Sequence, residues 1–153
     1  MKLTSEAFDQ NERIPDRYTC HGEDVSPPLS IEGVDPKAQS LALIVDDPDA
    51  PMGVFDHWLI WNIPAETERI PAGIAQEERP SELEGTFQGE NDFNELGYRG
   101  PCPPGGSEHV YRFTLFALEE KLDLKPGAGK GALREAMEGK VIERSLLRGS
   151  YSI

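Results

Sequence analysis

The sequence has few features that cross-link a chain or direct it to a membrane. Its two cysteines, Cys20 and Cys102, are too few for a secreted disulfide scaffold and lack the spacing of a metal site. We therefore expect two buried free thiols, no metal ion and no cofactor. No run of about 18 apolar residues occurs, so membrane insertion is not predicted. Because Glu6 interrupts any apolar leader after Met1, we expect a cytoplasmic protein.

Positive charge is also scarce. The chain has 15 basic residues against 28 acidic ones, which gives a formal net charge of −13. No local run of lysine or arginine offsets this excess. Such a surface repels nucleic acids and anionic membranes, so nucleic acid is excluded as an expected partner.

Several common catalytic and nucleotide-binding motifs are absent. The sequence contains no Gly-x-Ser-x-Gly, His-Glu-x-x-His or Cys-x-x-Cys. The segment Gly127–Gly131 is not a P-loop, because Leu124 stands where a glycine is needed and Gly131 where a serine or threonine is needed. No motif therefore supports a mechanism that uses a serine nucleophile, a zinc ion or a nucleoside triphosphate.

What is present indicates a mainly β protein. The 153 residues suit one domain, 1–153, and 13 prolines and 15 glycines separate short apolar runs, which is typical of strands joined by irregular loops. One helix is expected over Gly131–Glu138, where Gly139 would end it. The expected strands are Leu3–Phe8, Leu29–Ile31, Ser40–Asp46, Trp58–Ile63, Val110–Leu118 and the end of Val141–Ser152, after a short helical turn.

The segment Pro64–Gly97 is rich in acids, glycine and proline and poor in apolar residues. We expect a single short extended piece in it, near Gly85–Gly89. A connection of this length is unusual in a compact domain, so it is expected to wrap the core or to cover a site.

Two of the three histidines, His57 and His109, stand at the starts of predicted strands, each after a loop rich in proline and glycine. If those strands are neighbours, both imidazoles reach one pocket, where Asp47 orients one ring. Backbone N–H groups from Gly100–Gly106 would then complete a site for a small anion. The alternative is that each histidine is satisfied separately at a strand end and that Asp47 only terminates a strand.

Several short motifs occur in the order and at the spacings found in one protein family. They are Asp47-Pro48-Asp49-Ala50-Pro51, His57-Trp58, Tyr98-x-Gly100-Pro101, Pro103-Pro104-x-Gly106 and His109-x-Tyr111. This set resembles the signature of the phosphatidylethanolamine-binding protein family. The segment Thr19–Leu29 is similar to the prokaryotic branch known as Raf kinase inhibitor-like proteins.

The resemblance implies a β-sandwich of two antiparallel sheets with a few short peripheral helices and an anion pocket at one end. The ligand-binding positions it implies are Asp47, His57, Gly100, Pro103, His109 and Tyr111, and the pocket walls are Pro48, Ala50, Pro51 and Phe55. It further implies a cis Ala50-Pro51 bond. It also places Cys20 and Cys102 in loops at one end of the sandwich, where a disulfide forms only if their Cα atoms lie within about 7 Å.

Two function classes follow. The first is a module that binds a small anion or a phosphate-bearing head group and regulates or inhibits a kinase or protease, as relatives do. The second is a hydrolase in which His57 or His109 is the general base and Asp47 orients it. The missing nucleophile motif favours binding over catalysis. A homodimer is left open.

Overall fold

The structure, a computed structural model, describes all residues from Met1 to Ile153 and is mainly β. Its strands are β1 (Lys2–Thr4), β2 (Leu29–Glu32), β3 (Ser40–Asp47), β4 (Phe55–Pro64), β5 (Arg69–Ile70), β6 (Phe87–Gln88), β7 (Glu108–Leu118) and β8 (Val141–Ser152). Its helices are α1 (Lys130–Met137) and one 3₁₀ turn, Asp16–Tyr18. The predicted fold class is confirmed, and α1 differs by one residue at each end from the predicted helix.

The strands form two antiparallel sheets. The smaller sheet has the order β1-β2-β5 and the larger one the order β6-β4-β3-β7-β8. All eight residues of β3 are buried, as expected for the middle strand of a sheet that is covered on both faces. The strands that carry His57 and His109 are thus not neighbours, because β3 lies between β4 and β7.

Alternation along β7 assigns its side chains to two layers. Phe113 and Leu115 join the main core, which also contains Leu29 of the smaller sheet. Phe116 points the other way and packs with Leu133 of α1 in a second cluster. The larger sheet is therefore sandwiched between the smaller sheet and the helix, as its apolar residues on both faces require. The eight-residue helix is too short and too polar to span a lipid bilayer.

Three local expectations are corrected. The last segment contains no helical turn, because β8 pairs with β7 along its whole length, from Val141 with Leu118 to Ser152 with Glu108. The first strand ends at Thr4 rather than Phe8. Inside the long connection, the predicted extended piece is β6, but β5 was not predicted.

The Ala50-Pro51 bond is trans, as are all peptide bonds, so the prediction of a cis bond is wrong. The chain reverses here by another route. The N–H of Gly53 donates to the carbonyl of Ala50 at 3.1 Å, and Gly53 has a φ of 111°, a conformation open to glycine.

The expectation of free thiols is also wrong. Cys20 and Cys102 form a disulfide bond with their Cα atoms 5.4 Å apart, within the limit set above. The two loops meet because the N–H of Cys20 donates to the carbonyl of Pro101 at 3.1 Å, and the Tyr98 hydroxyl donates to the carbonyl of Tyr18 at 2.7 Å. The sulfur-bearing residues are not buried either, since Cys102 is exposed and Cys20 half-buried.

Candidate functional site

A β-bulge positions His57. Val45 of β3 pairs with Trp58 of β4, yet the next pair is Asp46 with Asp56, so His57 is an extra residue in β4. A bulge of this kind redirects the side chain of the added residue. As a result His57 can lie on the same side of the sheet as Trp58, whereas simple alternation would put them on opposite sides.

The two histidine rings are held by different acceptors. The Nδ1 of His57 lies 2.7 Å from the carbonyl oxygen of Arg99, and the Nδ1 of His109 lies 2.6 Å from Oδ2 of Asp47. Each Nδ1 therefore carries the proton that makes its bond, and in the neutral rings Nε2 is the unprotonated nitrogen. Asp47 sits at the end of β3, between the strands of the two histidines.

The rings surround Tyr111 on β7. Its ring centroid is 5.3 Å from that of His57, edge to face, and 6.3 Å from that of His109, nearly parallel. These three side chains and Asp47 line a cavity of about 210 Å³ at the end of the large sheet. The full lining is Asp47, Ala50, Pro51, Phe55, His57, Phe93, Cys102, Pro103, Pro104, His109 and Tyr111.

Two residues assigned to the site by the resemblance lie elsewhere. Pro48 is exposed and does not line the cavity. Gly100 is also absent from the lining, and its N–H donates to Oδ1 of Asp24 at 2.6 Å. A Cβ at Gly100 would stand 2.1 Å from the carbonyl oxygen of Tyr18, so this glycine is needed for the close approach of two loops.

Three lining residues were not predicted as site residues: Phe93, Cys102 and Pro104. The Phe93 ring packs edge to face against Phe55 at 4.8 Å and against His57 at 5.5 Å. Its segment was expected either to wrap the core or to cover a site, but nothing in the sequence distinguishes Phe93 from its neighbours as a residue of the cavity.

A comparison with protein-family models identifies this architecture. Residues 4–152 match the model described as phosphatidylethanolamine-binding protein. The chain belongs to the phosphatidylethanolamine-binding protein family.

Relatives within the family cover nearly the whole chain. A UPF0098 protein of Methanothermobacter thermautotrophicus is 51% identical over 99% of this chain and 98% of its own length. Another, from Pyrococcus horikoshii, is 51% identical over 96% of this chain and 74% of its own length.

Two solved structures of this family have the same fold. Escherichia coli YbcL has a TM-score of 0.91 at 30% identity, covering 99% of this chain and 98% of its own. A phosphatidylethanolamine-binding protein homologue of Chlamydia trachomatis, CT736, has a TM-score of 0.89 at 38% identity, covering 99% of this chain and 97% of its own.

Burial sets the protonation of two rings that line the cavity. Desolvation lowers the pKa of His57 below its usual value, although the Arg99 carbonyl and the charge of Asp47 act in the opposite direction. The pKa of Tyr111 is raised well above its usual value, first by burial and then by the charge of Asp47. At neutral pH the cavity thus contains an uncharged His57 and an un-ionised phenol.

Replacing His57 with asparagine should change how stability depends on pH. The unfolded chain takes up a proton near about pH 6.5, whereas folded His57 takes one up only at lower pH, so the parent protein loses stability as the pH falls through this range. His57→Asn keeps an N–H for the Arg99 carbonyl but cannot titrate. Its stability deficit relative to the parent should shrink from about pH 7.5 to about pH 5 in urea titrations free of phosphate and sulfate. A deficit that does not vary with pH would contradict the lowered pKa.

The cavity can supply hydrogen-bond donors from two sources. One is the pair of imidazoles when either is protonated. The other is the adjacent loop, where the N–H groups of Cys102, Gly105 and Gly106 have no acceptor in the protein; of these residues, Cys102 lines the cavity. No group of three or more histidine, cysteine or acidic side chains has a geometry suited to a metal ion.

Proposed function

We propose that this protein binds a small oxyanion, either free or as the phosphate of a larger head group, in the cavity between His57 and His109. The observation that carries the proposal is the shared orientation of the two rings. Both use Nδ1 for a bond within the protein, to Arg99 and to Asp47, and both line the same cavity. Nε2 of each ring is thus left as the ligand-binding atom.

The size and chemistry of the cavity favour a head group over a larger molecule. About 210 Å³ is below the range of about 300–1,000 Å³ of sites that enclose drug-sized ligands. The walls Phe55, Phe93 and Pro103 exclude water on one side, which strengthens hydrogen bonds to an anion inside. The family name, which specifies a phospholipid with a phosphate-bearing head group, agrees with this ligand class.

Charge opposes binding unless an imidazole is protonated. Asp47 is buried beside the cavity, and Asp49 accepts the N–H of Val110 nearby, at 2.9 Å. An anion in the cavity therefore meets the carboxylate of Asp47 at neutral pH, with the carboxylate of Asp49 nearby outside the lining. A proton on His57 or His109 supplies both a positive charge and an extra donor, so affinity is expected to depend on pH.

Sulfate is the probe of this dependence, because it stays dianionic throughout the range in which histidine titrates. We expect sulfate to bind about tenfold more tightly near pH 5.5 than near pH 8, as one charge-assisted hydrogen bond is gained. Calorimetric or NMR titration measures the change. His109→Gln and His57→Asn should each reduce the pH dependence, while His21→Ala, outside the cavity, should preserve it. Equal sulfate affinity at both pH values in the parent would refute the proposal.

We further propose that occupancy of this cavity modulates a protein partner such as a kinase or a protease. The loop that supplies Ala50 and Pro51 to the cavity also exposes Met52, which is 99% exposed, and Val54. Apolar side chains presented to solvent beside a ligand site offer a contact surface that the ligand can alter.

A hydrolase stays the second candidate because of the Asp47–His109 bond. An imidazole oriented by a carboxylate through Nδ1 can take a proton from water through Nε2, which is general-base catalysis. Turnover of a p-nitrophenyl ester or phosphate that disappears in His109→Gln would favour this candidate over binding alone.

A further inference from the structure

One wall of the cavity is formed by the loop Arg99–Ser107, of which one end is firmly attached. Its first part is fixed to the Tyr18–Asp24 segment by several hydrogen bonds. Gly100 donates its N–H to Asp24, the carbonyl of Pro101 accepts the N–H of Cys20, and Nε of Arg99 lies 2.8 Å from Oδ2 of Asp24. This part of the loop stays in place without help from the disulfide.

The second part of the loop, Cys102–Ser107, is attached differently. Its only hydrogen bond is local, from the N–H of Ser107 to the carbonyl of Pro104. A Cβ added at Gly105 or Gly106 would meet no atom within 4 Å, so the loop tip packs against nothing. Apart from the buried ring of Pro103, the Cys20–Cys102 disulfide is the only attachment of this wall before β7 begins.

The disulfide is accessible to a reactant. Cys102 is exposed and Cys20 half-buried, and exposed bridges exchange with thiols more readily than bridges inside a core. Cys102 also lines the cavity, and its N–H has no acceptor in the protein. The same residue therefore joins the reactive bond to the candidate ligand site.

We propose that the Cys20–Cys102 disulfide is a site of thiol–disulfide exchange with a dithiol reductant, and that opening the bond releases the cavity wall and weakens anion binding. The effect on the anion rests on the proposed function, whereas the exchange reaction does not. Dithiols of this class belong to a reducing cytoplasm, the location that the sequence predicts.

The reaction balances as an ordinary exchange. A thiolate of the dithiol attacks Sγ of Cys102, forms a mixed disulfide and expels Cys20 as a thiolate. The second thiol of the reductant then attacks the mixed disulfide and releases Cys102. The protein bridge gains two electrons and ends, after protonation, as two thiols, while the dithiol is oxidised to a disulfide.

Loosening of the wall has two measurable consequences. Once the bond is open, the loop adopts several arrangements, and only one of them binds the anion. The apparent sulfate affinity therefore falls in proportion to the population of that binding arrangement. If the wall keeps the binding arrangement about a third of the time, the dissociation constant rises about threefold. The amide proton of Ser107, which is bonded to the carbonyl of Pro104, should also exchange faster with solvent.

The experiment compares three forms of the full chain at about pH 5.5, where sulfate binding is expected to be measurable. They are the oxidised protein, the protein reduced with dithiothreitol at higher pH and then transferred, and Cys20→Ser/Cys102→Ser. We expect both open forms to bind sulfate about threefold more weakly or worse, and reoxidation to restore affinity in the reduced protein only. A thermal scan of each form verifies that it is folded at the titration temperature.

The outcomes separate this inference from the proposed function. Equal sulfate affinity in the oxidised and open forms overturns the proposed link between the disulfide and the cavity wall. A bridge that dithiothreitol cannot reduce unless denaturant is added overturns the proposed exchange. If even the oxidised protein fails to bind sulfate, the proposed function fails. The exchange rate of the Ser107 amide proton then tests by itself whether the disulfide holds the loop. Faster exchange on reduction then supports it, and unchanged exchange overturns it.

Discussion

Replacing Gln88 with methionine is expected to lower the free energy of unfolding by about 3–4 kcal/mol. Gln88 is completely buried and makes three side-chain hydrogen bonds. Its Oε1 accepts the indole N–H of Trp58 at 2.7 Å, and its Nε2 donates to the carbonyls of Ala75 and Glu77 at 2.7 and 2.8 Å. Methionine keeps the approximate volume, so the loss measures the hydrogen bonds rather than a cavity.

The size of the effect follows from what remains after the substitution. A buried polar group left without a partner costs about 1–3 kcal/mol, and this change leaves the indole N–H of Trp58 and the carbonyl of Glu77 unpaired. The carbonyl of Ala75 loses one of its two donors and keeps the N–H of Glu77. Trp58 is itself fully buried and cannot reach water. Part of the cost is recovered if the loop around Ala75 and Glu77 shifts so that water reaches the Glu77 carbonyl, which keeps the expected loss below the largest possible sum.

Urea titration of Gln88→Met against the parent measures the loss. Gln39→Met is the matched control, because Gln39 is exposed and uses only its backbone N–H, so its stability should stay within about 0.5 kcal/mol of the parent. A loss under about 1 kcal/mol for Gln88→Met would mean that the three bonds are readily replaced by water.

The fold was predictable where a pattern extends over many residues. The continuous apolar run in β3 and the alternation along most of β7 specify buried strands without reference to any partner. β5 consists of Arg69 and Ile70 alone and has no such pattern. Its existence depends on the partner strand, because Leu29 pairs with Ile70 across the sheet.

The sequence indicated the residues of the candidate site better than it indicated how they are arranged. His57 and His109 were expected to share a pocket if their strands were neighbours, but β3 separates the two strands, and Asp47 at the end of β3 bonds His109. The bulge that redirects His57 is a property of strand register, which one sequence does not reveal. For Gly100, the motif indicates an unhindered backbone correctly, but the group that approaches it is Tyr18 rather than a ligand.

On the helix side of the large sheet, an ionic cluster lies behind the cavity residues. Asp46 and Asp56, each adjacent in sequence to a cavity residue, are paired across β3 and β4 and are almost fully buried. Lys130 at the start of α1 bonds Asp56 and lies 3.7 Å from Asp46, while Arg112 binds Asp46 through two nitrogens at 2.8 and 3.0 Å. Lys130 is thus the only cation paired with Asp56.

Lys130→Met is expected to lower the free energy of unfolding by about 2–4 kcal/mol at neutral pH, because removing one partner leaves a buried carboxylate uncompensated. Burial already raises the pKa of Asp56 in the parent, and Lys130 partly offsets that rise. Without the lysine the folded-state pKa of Asp56 rises further above its value in the unfolded chain. The folded variant then binds a proton that the unfolded chain releases, so its stability is recovered as the pH falls and lost as it rises.

This direction of the pH dependence makes the prediction specific to the charge of Asp56. The deficit of Lys130→Met relative to the parent should be largest near pH 7.5 and shrink towards pH 5, as followed by urea titration at each pH. Adding Asp56→Asn to Lys130→Met removes the uncompensated charge and should restore part of the stability at neutral pH. Lys121→Met, at an exposed lysine without an ion pair, is the control and should have no comparable effect. A deficit that is equal at both pH values would assign the role of Lys130 to packing of its aliphatic stem instead of to compensation of Asp56.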